Sequence, residues 1–291
     1  MLTTLISLLA INNLALSQPT QPPIWPENSP IIQTVPFPVK LPTAIAPVLQ
    51  AKAILTQDLS TGQNLYSVNA NEQLPMASLT KLMLAKIILD QNKMDEIVTV
   101  DKEATLIEPS KINLVKGEKI TVENLLKAIF IKSANDAALA LAIHNAGSID
   151  DFVIKMNQTA LAMGLINTHF TNPAGLDDPA HYSTASDMAI LARTLYKNPF
   201  IQSVGTIKQT DIESIDGNQK HQLDSTNDLL GSYLKVLGLK TGTTDLAGQC
   251  LISIVENSNG NKILNVMFGS NSRFKETKIL SQWIFDSYQW I

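Results

Sequence analysis

Three short groups of residues in this chain could together do nucleophilic chemistry at a serine: Ser78-Leu79-Thr80-Lys81, Ser133-Ala134-Asn135 and Lys240-Thr241-Gly242-Thr243. A serine hydroxyl is a weak nucleophile until a neighbouring base takes its proton, and residues i and i+3 of a helix share a face with Cβ atoms about 5–6 Å apart. Lys81 can therefore reach the Ser78 hydroxyl. Its difficulty is charge: an ordinary lysine has a pKa of about 10.4, so neutrality near pH 7 costs roughly 4–5 kcal/mol unless burial or a second cation lowers it. Lys240 is the candidate second cation. A glycine in an edge strand, here Gly242, lets an extended peptide backbone approach and pair alongside.

Taken singly, these groups are common. Ser-x-x-Lys recurs at Ser232/Lys235 and Ser272/Lys275, and Ser-x-Asn recurs at Ser67/Asn69 and Ser225/Asn227. A serine ahead of a helix is by itself only a cap. Lys-Thr-Gly occurs once, and it selects its partners by order. Ser78 stands at the start of a strong amphipathic run, Leu79, Leu82, Met83, Ile87 and Ile88, ahead of both other groups. Ser232/Lys235 runs into a strand, and Ser272/Lys275 follows Lys-Thr-Gly.

The elements that must position these residues follow from hydrophobic period. Residues 53–56 and 64–68 read as a hairpin around the turn composition Asp58-Leu59-Ser60-Thr61-Gly62. Helical spacing runs from Ser78 to Asp90, then over 122–131, 135–144, 149–163 and 186–196, with Thr121, Ser148 and either Thr184 or Ser186 as caps. Residues 171–179 are a loop by their turn residues. Strand-like runs then appear at 235–240, 249–255 and 262–268, and a last helix over 273–288 presents Phe274, Ile279, Leu280, Trp283 and Ile284. The expected fold class is α+β: a five-stranded antiparallel sheet packed with helices, with a mostly helical subdomain, about 79–200, inserted between its two halves.

Composition narrows the function. The 291 residues are 45% apolar and 16% charged, as in an ordinary globular protein, and a formal charge of −4 offers no basic face for nucleic acid. One cysteine and four histidines without ligand spacing predict no metal, and no cofactor motif is present. Residues 1–17 read as a secretory signal or an N-terminal anchor: an apolar run to Ile11, then the small-x-small pattern Ala15-Leu16-Ser17, without the usual positive start. Nine of the 14 prolines fall between Pro19 and Pro47, so residues 18–48 read as a spacer and residues 49–291 as the folded catalytic domain.

In that order, with the surrounding text Pro75-Met76-Ala77-Ser78-Leu79-Thr80-Lys81, Ser133-Ala134-Asn135-Asp136, Thr171-Asn172-Pro173-Ala174-Gly175-Leu176-Asp177 and Lys240-Thr241-Gly242-Thr243-Thr244, residues 51–283 resemble the low-molecular-mass serine D-Ala-D-Ala carboxypeptidases, which are penicillin-binding proteins. The resemblance implies that Ser78 forms an acyl-enzyme with a peptidoglycan stem peptide ending in D-Ala-D-Ala, or with a β-lactam. It implies Lys81 as base, Ser133 as proton relay, and Asn135, Lys240, Thr241, Gly242 and Thr243 as substrate-binding residues. Arg273 is a candidate further partner for an anion. Many members carry His at the position of Ala174, and many append a C-terminal β domain and amphipathic anchor beyond the point where this chain ends, so an N-terminal tether is expected. An extracytoplasmic location follows from the substrate. The alternatives are an endopeptidase, a β-lactamase and a non-catalytic wall-binding module; the β-lactamase is disfavoured because no Glu occurs from Asp136 through Ile212.

Overall fold

The computed structural model describes residues 36–291; the segment read as an N-terminal signal or anchor and the first part of the proline-rich segment lie outside the described residues. The chain enters through β1 (Pro38–Lys40), β2 (Ala53–Asp58) and β3 (Asn64–Val68), then a single 3-10 turn, Ala77–Thr80, and α1 (Lys81–Gln91). Next come β4 (Ile97–Thr99), β5 (Lys119–Thr121), α2 (Val122–Ile131), α3 (Asn135–Ala146), α4 (Ile149–Ala162), α5 (Ala185–Leu195) and α6 (Pro199–Val204). The chain closes through β6 (Gln209–Glu213), β7 (Lys220–Asp224), β8 (Lys235–Thr244), β9 (Gly248–Glu256), β10 (Lys262–Ser270), α7 (Arg273–Ser287) and β11 (Tyr288–Trp290).

The central sheet has the order β3-β2-β10-β9-β8, antiparallel throughout. It is the expected α+β arrangement, since strands from the two ends of the sequence pair through β2 and β10 and everything between β3 and β8 forms the insert. β10 is buried along both faces, from Ile263 to Phe268, because helices cover each side. Leu264, Val266 and Phe268 face the larger core with α1 and α5, while Ile263 and Met267 meet Leu280 and Ile284 of α7. β8 is one of the two edges, and it lies against the Ala77–Thr80 turn.

Several expectations change in detail. α1 is not amphipathic: Leu82, Met83, Leu84 and Ala85 are all fully buried, because α3, α4 and α5 surround it. Of the face assigned to α7, Ile279 is exposed, and the buried Glu276 takes its place by accepting the Ala51 amide at 3.0 Å. The insert is less purely helical and longer than expected, with the β4–β5 and β6–β7 hairpins included. The folded unit also begins before Leu49, since Pro38–Lys40, inside the segment read as a spacer, pairs with Tyr288–Trp290. The caps match: Thr121, Ser148 and Thr184 accept from the amides of Asn124, Asp151 and Asp187. Among the described residues no single helix is long and apolar enough to cross a membrane.

Candidate active site

Ser78 is carried on the 3-10 turn, not at the cap of a regular helix, and the turn is entered through Ala77 at φ +48°. A residue with a Cβ is strained there and stays only where its surroundings over-determine it. Three neighbours do so. The Thr80 hydroxyl donates to the Ala77 carbonyl at 2.8 Å. Gly175 approaches so closely that a Cβ on it would lie 2.0 Å from the same oxygen, and a Cβ on Gly242 would lie 3.0 Å from Ala77 Cβ and from Ser78 N. Gly242 is therefore required by the protein's own turn, where the sequence reading had reserved the space for a substrate backbone.

Lys81 Nζ is completely buried and has three neighbours: Ser78 Oγ at 2.8 Å, Asn135 Oδ1 at 2.7 Å and the Ala174 carbonyl at 2.6 Å. The orientation of Asn135 is fixed independently, because its Nδ2 donates to the Pro109 carbonyl at 2.5 Å. Two of the three neighbours can only accept. A neutral amine has two N–H donors and one lone pair, so with its donors on Asn135 and Ala174 the lone pair is left for the Ser78 hydroxyl proton. Burial pushes the Lys81 pKa down to about 7, against an upward pull from the Asp136 carboxylate. That carboxylate is itself engaged by the amides of Ile112, Leu114 and Ala137. Because Ala174 contributes its carbonyl, the absence of a histidine side chain there leaves the contact to Lys81 intact.

Ser133 links α2 to α3 at φ +61°, and Ala134, not Ser133, occupies the cap of α3. Lys240, from the middle of β8, donates to Ser133 Oγ at 2.6 Å and to the Thr241 carbonyl at 2.8 Å. Burial, with the like charges of Lys81 and Arg273, holds the Lys240 pKa well below the ordinary lysine value. The second cation was expected to lower Lys81; burial dominates there, and the repulsion weighs on Lys240.

Farther along β8, the Thr241 and Thr226 hydroxyls are 2.5 Å apart. Arg273, at the start of α7, reaches back so that Nη1 donates to the Gly242 carbonyl at 2.7 Å and to Thr243 Oγ1 at 2.6 Å. The fold thus brings together Ser78, Lys81, Ser133, Asn135, Lys240, Thr241, Gly242 and Thr243, joined by Arg273. The repeats of the motifs have other partners, as where Lys235 pairs with Glu256 at 2.6 Å and the Ser225 hydroxyl accepts from the Asn227 amide. The sequence gives no role to two buried residues behind the nucleophile, Thr80 and His181, whose Oγ1 and Nε2 are 2.6 Å apart. Their only linear signal was a threonine inside Ser-x-x-Lys and a histidine beyond the turn-rich loop.

A serine and a buried lysine on one turn, faced by an edge strand of a five-stranded sheet, define the serine acyl-transfer fold shared by DD-peptidases and β-lactamases. Within that class the chain belongs to the Peptidase S11 family, D-alanyl-D-alanine carboxypeptidase, whose model matches residues 41–272. It is 39% identical over 229 residues to the D-alanyl-D-alanine carboxypeptidase DacF of Bacillus subtilis, covering 77% of this chain and 58% of that protein. To DacC of Escherichia coli K12 it is 34% identical over 262 residues, covering 85% and 64%. The chain thus spans about three fifths of the length of these curated relatives. Among solved structures, the Streptomyces K15 DD-transpeptidase superposes with a TM-score of 0.78 at 29% identity, covering 83% of this chain and 99% of that one. The D-alanyl-D-alanine carboxypeptidase of Mycobacterium tuberculosis H37Rv gives 0.78 at 28% identity, covering 85% and 96%.

Proposed function

We propose that the protein is a serine-type D-Ala-D-Ala carboxypeptidase that removes the terminal D-Ala of peptidoglycan stem peptides through an acyl-Ser78 intermediate. The observation that carries this reading is the set of neighbours around Lys81, which uses both donors of a neutral amine and leaves its lone pair at Ser78 Oγ. In the forward step Lys81 takes the Ser78 proton while Oγ bonds to the carbonyl carbon between the two D-alanines. The C–N bond then breaks, and the departing amine receives a proton through Ser133, whose hydroxyl is held by Lys240. Water attacks the ester, the residual peptide leaves as a carboxylate, and Ser78 regains its proton.

Binding has separate supports. An extended peptide pairs with the β8 edge, Asn135 orients the substrate amide, and Thr241, Thr243, Lys240 and Arg273 hold the terminal carboxylate. The amides of Ser78 and Thr243 serve as oxyanion donors, each worth about 2.7–4 kcal/mol in enzymes of other kinds. Slow loss of a β-lactam acyl group accords with the carboxylates on hand: Asp136 is consumed by backbone amides, and Asp177 accepts from the Leu246 amide at 3.0 Å. The substrate places the site outside the cytoplasmic membrane, in keeping with the N-terminal signal or anchor. The test is mass spectrometry of the protein with penicillin and with a D-Ala-D-Ala peptide. Penicilloylation of Ser78 that persists for minutes, with release of one D-Ala from the peptide, is expected. Rapid turnover of penicillin, or no adduct, overturns the reading.

A further inference from the structure

His181 is a buried titratable side chain to which the mechanism assigns nothing. It lies just after the 171–179 loop, 2% exposed, with the ring of Phe170 edge-on at 5.8 Å. Both of its nitrogens have partners. The single proton of the Thr80 hydroxyl is committed to the Ala77 carbonyl at 2.8 Å, so at 2.6 Å from His181 the Thr80 oxygen must accept, and Nε2 must carry hydrogen. Nδ1 faces the Thr171 amide at 3.0 Å, which can only donate, so Nδ1 must be bare. The ring is a neutral Nε2–H tautomer fixed from both ends, and burial keeps its pKa down at about 4.

This chain of bonds ends on the residue with the strained backbone. We propose that His181 is a positioning residue for the nucleophile: through the Thr80 hydroxyl it holds the Ala77 carbonyl, and so the turn that presents Ser78 to Lys81. The same imidazole ties the two ends of the 171–181 segment together at Thr171, and that segment supplies Ala174 O to Lys81 and packs Gly175 against Ala77. His181 thereby sets the nucleophile and its base from one point. Ala77 at φ +48° would otherwise be free to relax, rotating the peptide that it shares with Ser78.

The inference rests on the acyl-Ser78 reading, and the experiment separates the two. The wild-type chain, Thr80→Val, Thr80→Ser, His181→Asn and His181→Gln are each reacted with a fluorescent penicillin over a range of concentrations. Rates are expressed per molecule that is eventually labelled, and thermal melting is recorded beside them. Thr80→Ser keeps the hydroxyl, and His181→Gln can place an amide N–H where Nε2–H was. Thr80→Val keeps the shape without the hydroxyl, and His181→Asn keeps an acceptor for Thr171 but falls short of Thr80.

The expected result is a saturating acylation rate lowered about ten- to a hundredfold in Thr80→Val and His181→Asn, with the half-saturating concentration within about threefold of wild type. Thr80→Ser stays within about threefold of the wild-type rate, and His181→Gln, which regains the donor to Thr80 but lacks the acceptor for Thr171, falls between His181→Asn and wild type. Thr80→Val and His181→Asn acylating at the wild-type rate, whatever their melting temperatures, overturn the positioning role alone. A wild-type chain that never acquires label overturns the proposed function, and this inference with it.

Discussion

At the scale of single residues, the proposed chemistry depends on where one proton resides. Lys81 has three acceptors within 2.8 Å when it is an ammonium and only two donors when neutral, so the same three atoms serve both charge states. Lowering its pKa from 10.5 to about 7 turns a negligible neutral fraction into about half at pH 7. The sign follows directly: the base is competent above its pKa. The rate constant for penicillin acylation of the free protein should rise with pH through one step near 7 and then level off. A profile that is flat from about pH 5 to 9 would remove Lys81 from the role of base. Ser78→Ala should abolish both labelling and peptide hydrolysis. Lys81→Arg should abolish acylation as well, because a guanidinium keeps its charge near neutral pH and offers no lone pair; labelling of Lys81→Arg at a wild-type rate would require another base. Eight site residues were readable in the sequence because they sit in three ordered motifs. Arg273 was legible only as a candidate anion partner, and Thr80 and His181 had no role assigned, because their part is defined by contacts across the fold: Thr80 with His181 is separated by 101 residues, and Arg273 with Gly242 by 31.

Between elements, the decisive contact is the approach of the β8 edge to the nucleophile turn. Gly242 makes that approach possible, Gly175 lets the 171–179 loop pack on the same turn, and the two differ in severity. On Gly242 a methyl group would meet Ala77 Cβ and Ser78 N at 3.0 Å, so the strand must move by a few tenths of an ångström. On Gly175 it would meet the Ala77 carbonyl at 2.0 Å, at a φ of +84° that L residues rarely adopt. Gly242→Ala should therefore fold with a loss of about 1–2 kcal/mol but acylate at least about tenfold more slowly, since small displacements at a reacting centre are costly. Gly175→Ala should lose more stability, about 3 kcal/mol or more, because overpacking and backbone strain add. Denaturant melts and acylation rates measured on both variants check this ordering; a Gly242→Ala protein that acylates normally would show that the edge tolerates displacement. The helices were legible because their caps and apolar periods agree, as at Thr121 and Ser148. The β6–β7 hairpin was not, because Gln209–Glu213 and Lys220–Asp224 bury only Ile212, His221 and Leu223, too few for a period to register.

For the molecule as a whole, the central sheet joins strands from both halves of the sequence, and the end of the proline-rich segment adds a separate two-stranded sheet with the C-terminal strand. Composition marked residues 18–48 as a spacer because proline removes backbone donors, yet three residues near its end find partners. Val39 lies opposite Gln289, and beyond the strand pair Phe37 N donates to the Ile291 carbonyl at 2.9 Å and Leu41 N to the Ser287 carbonyl at 2.8 Å. Nothing local announces such pairing, since a three-residue strand carries almost no pattern and its partner lies some 250 positions away. Around it, Lys40 sits 5.4 Å above the Trp283 ring and Trp290 donates to Asp58 at 2.8 Å, so the strand braces the face of the sheet opposite the candidate site. A handful of backbone hydrogen bonds at about 0.5–1.5 kcal/mol each, plus one cation–π contact of about 0.5–1 kcal/mol, comes to roughly 3–8 kcal/mol, and the conformational entropy of ordering the segment takes back about half, leaving roughly 2–4 kcal/mol. Removing residues 1–41 should then lower the melting temperature by about 5–10 °C, at roughly 2–4 °C per kcal/mol for a domain of this size. The rate of penicillin acylation per folded molecule should stay unchanged, because Ser78 and its partners draw on the Ala77–Thr80 turn, α1, α3, β8, the 171–181 segment and Arg273 at the start of α7, whereas Lys40 of β1 meets α7 at Trp283, ten residues farther along the helix. If acylation falls along with the melting temperature when the two are measured on the same preparation, the brace reaches through the sheet to the site.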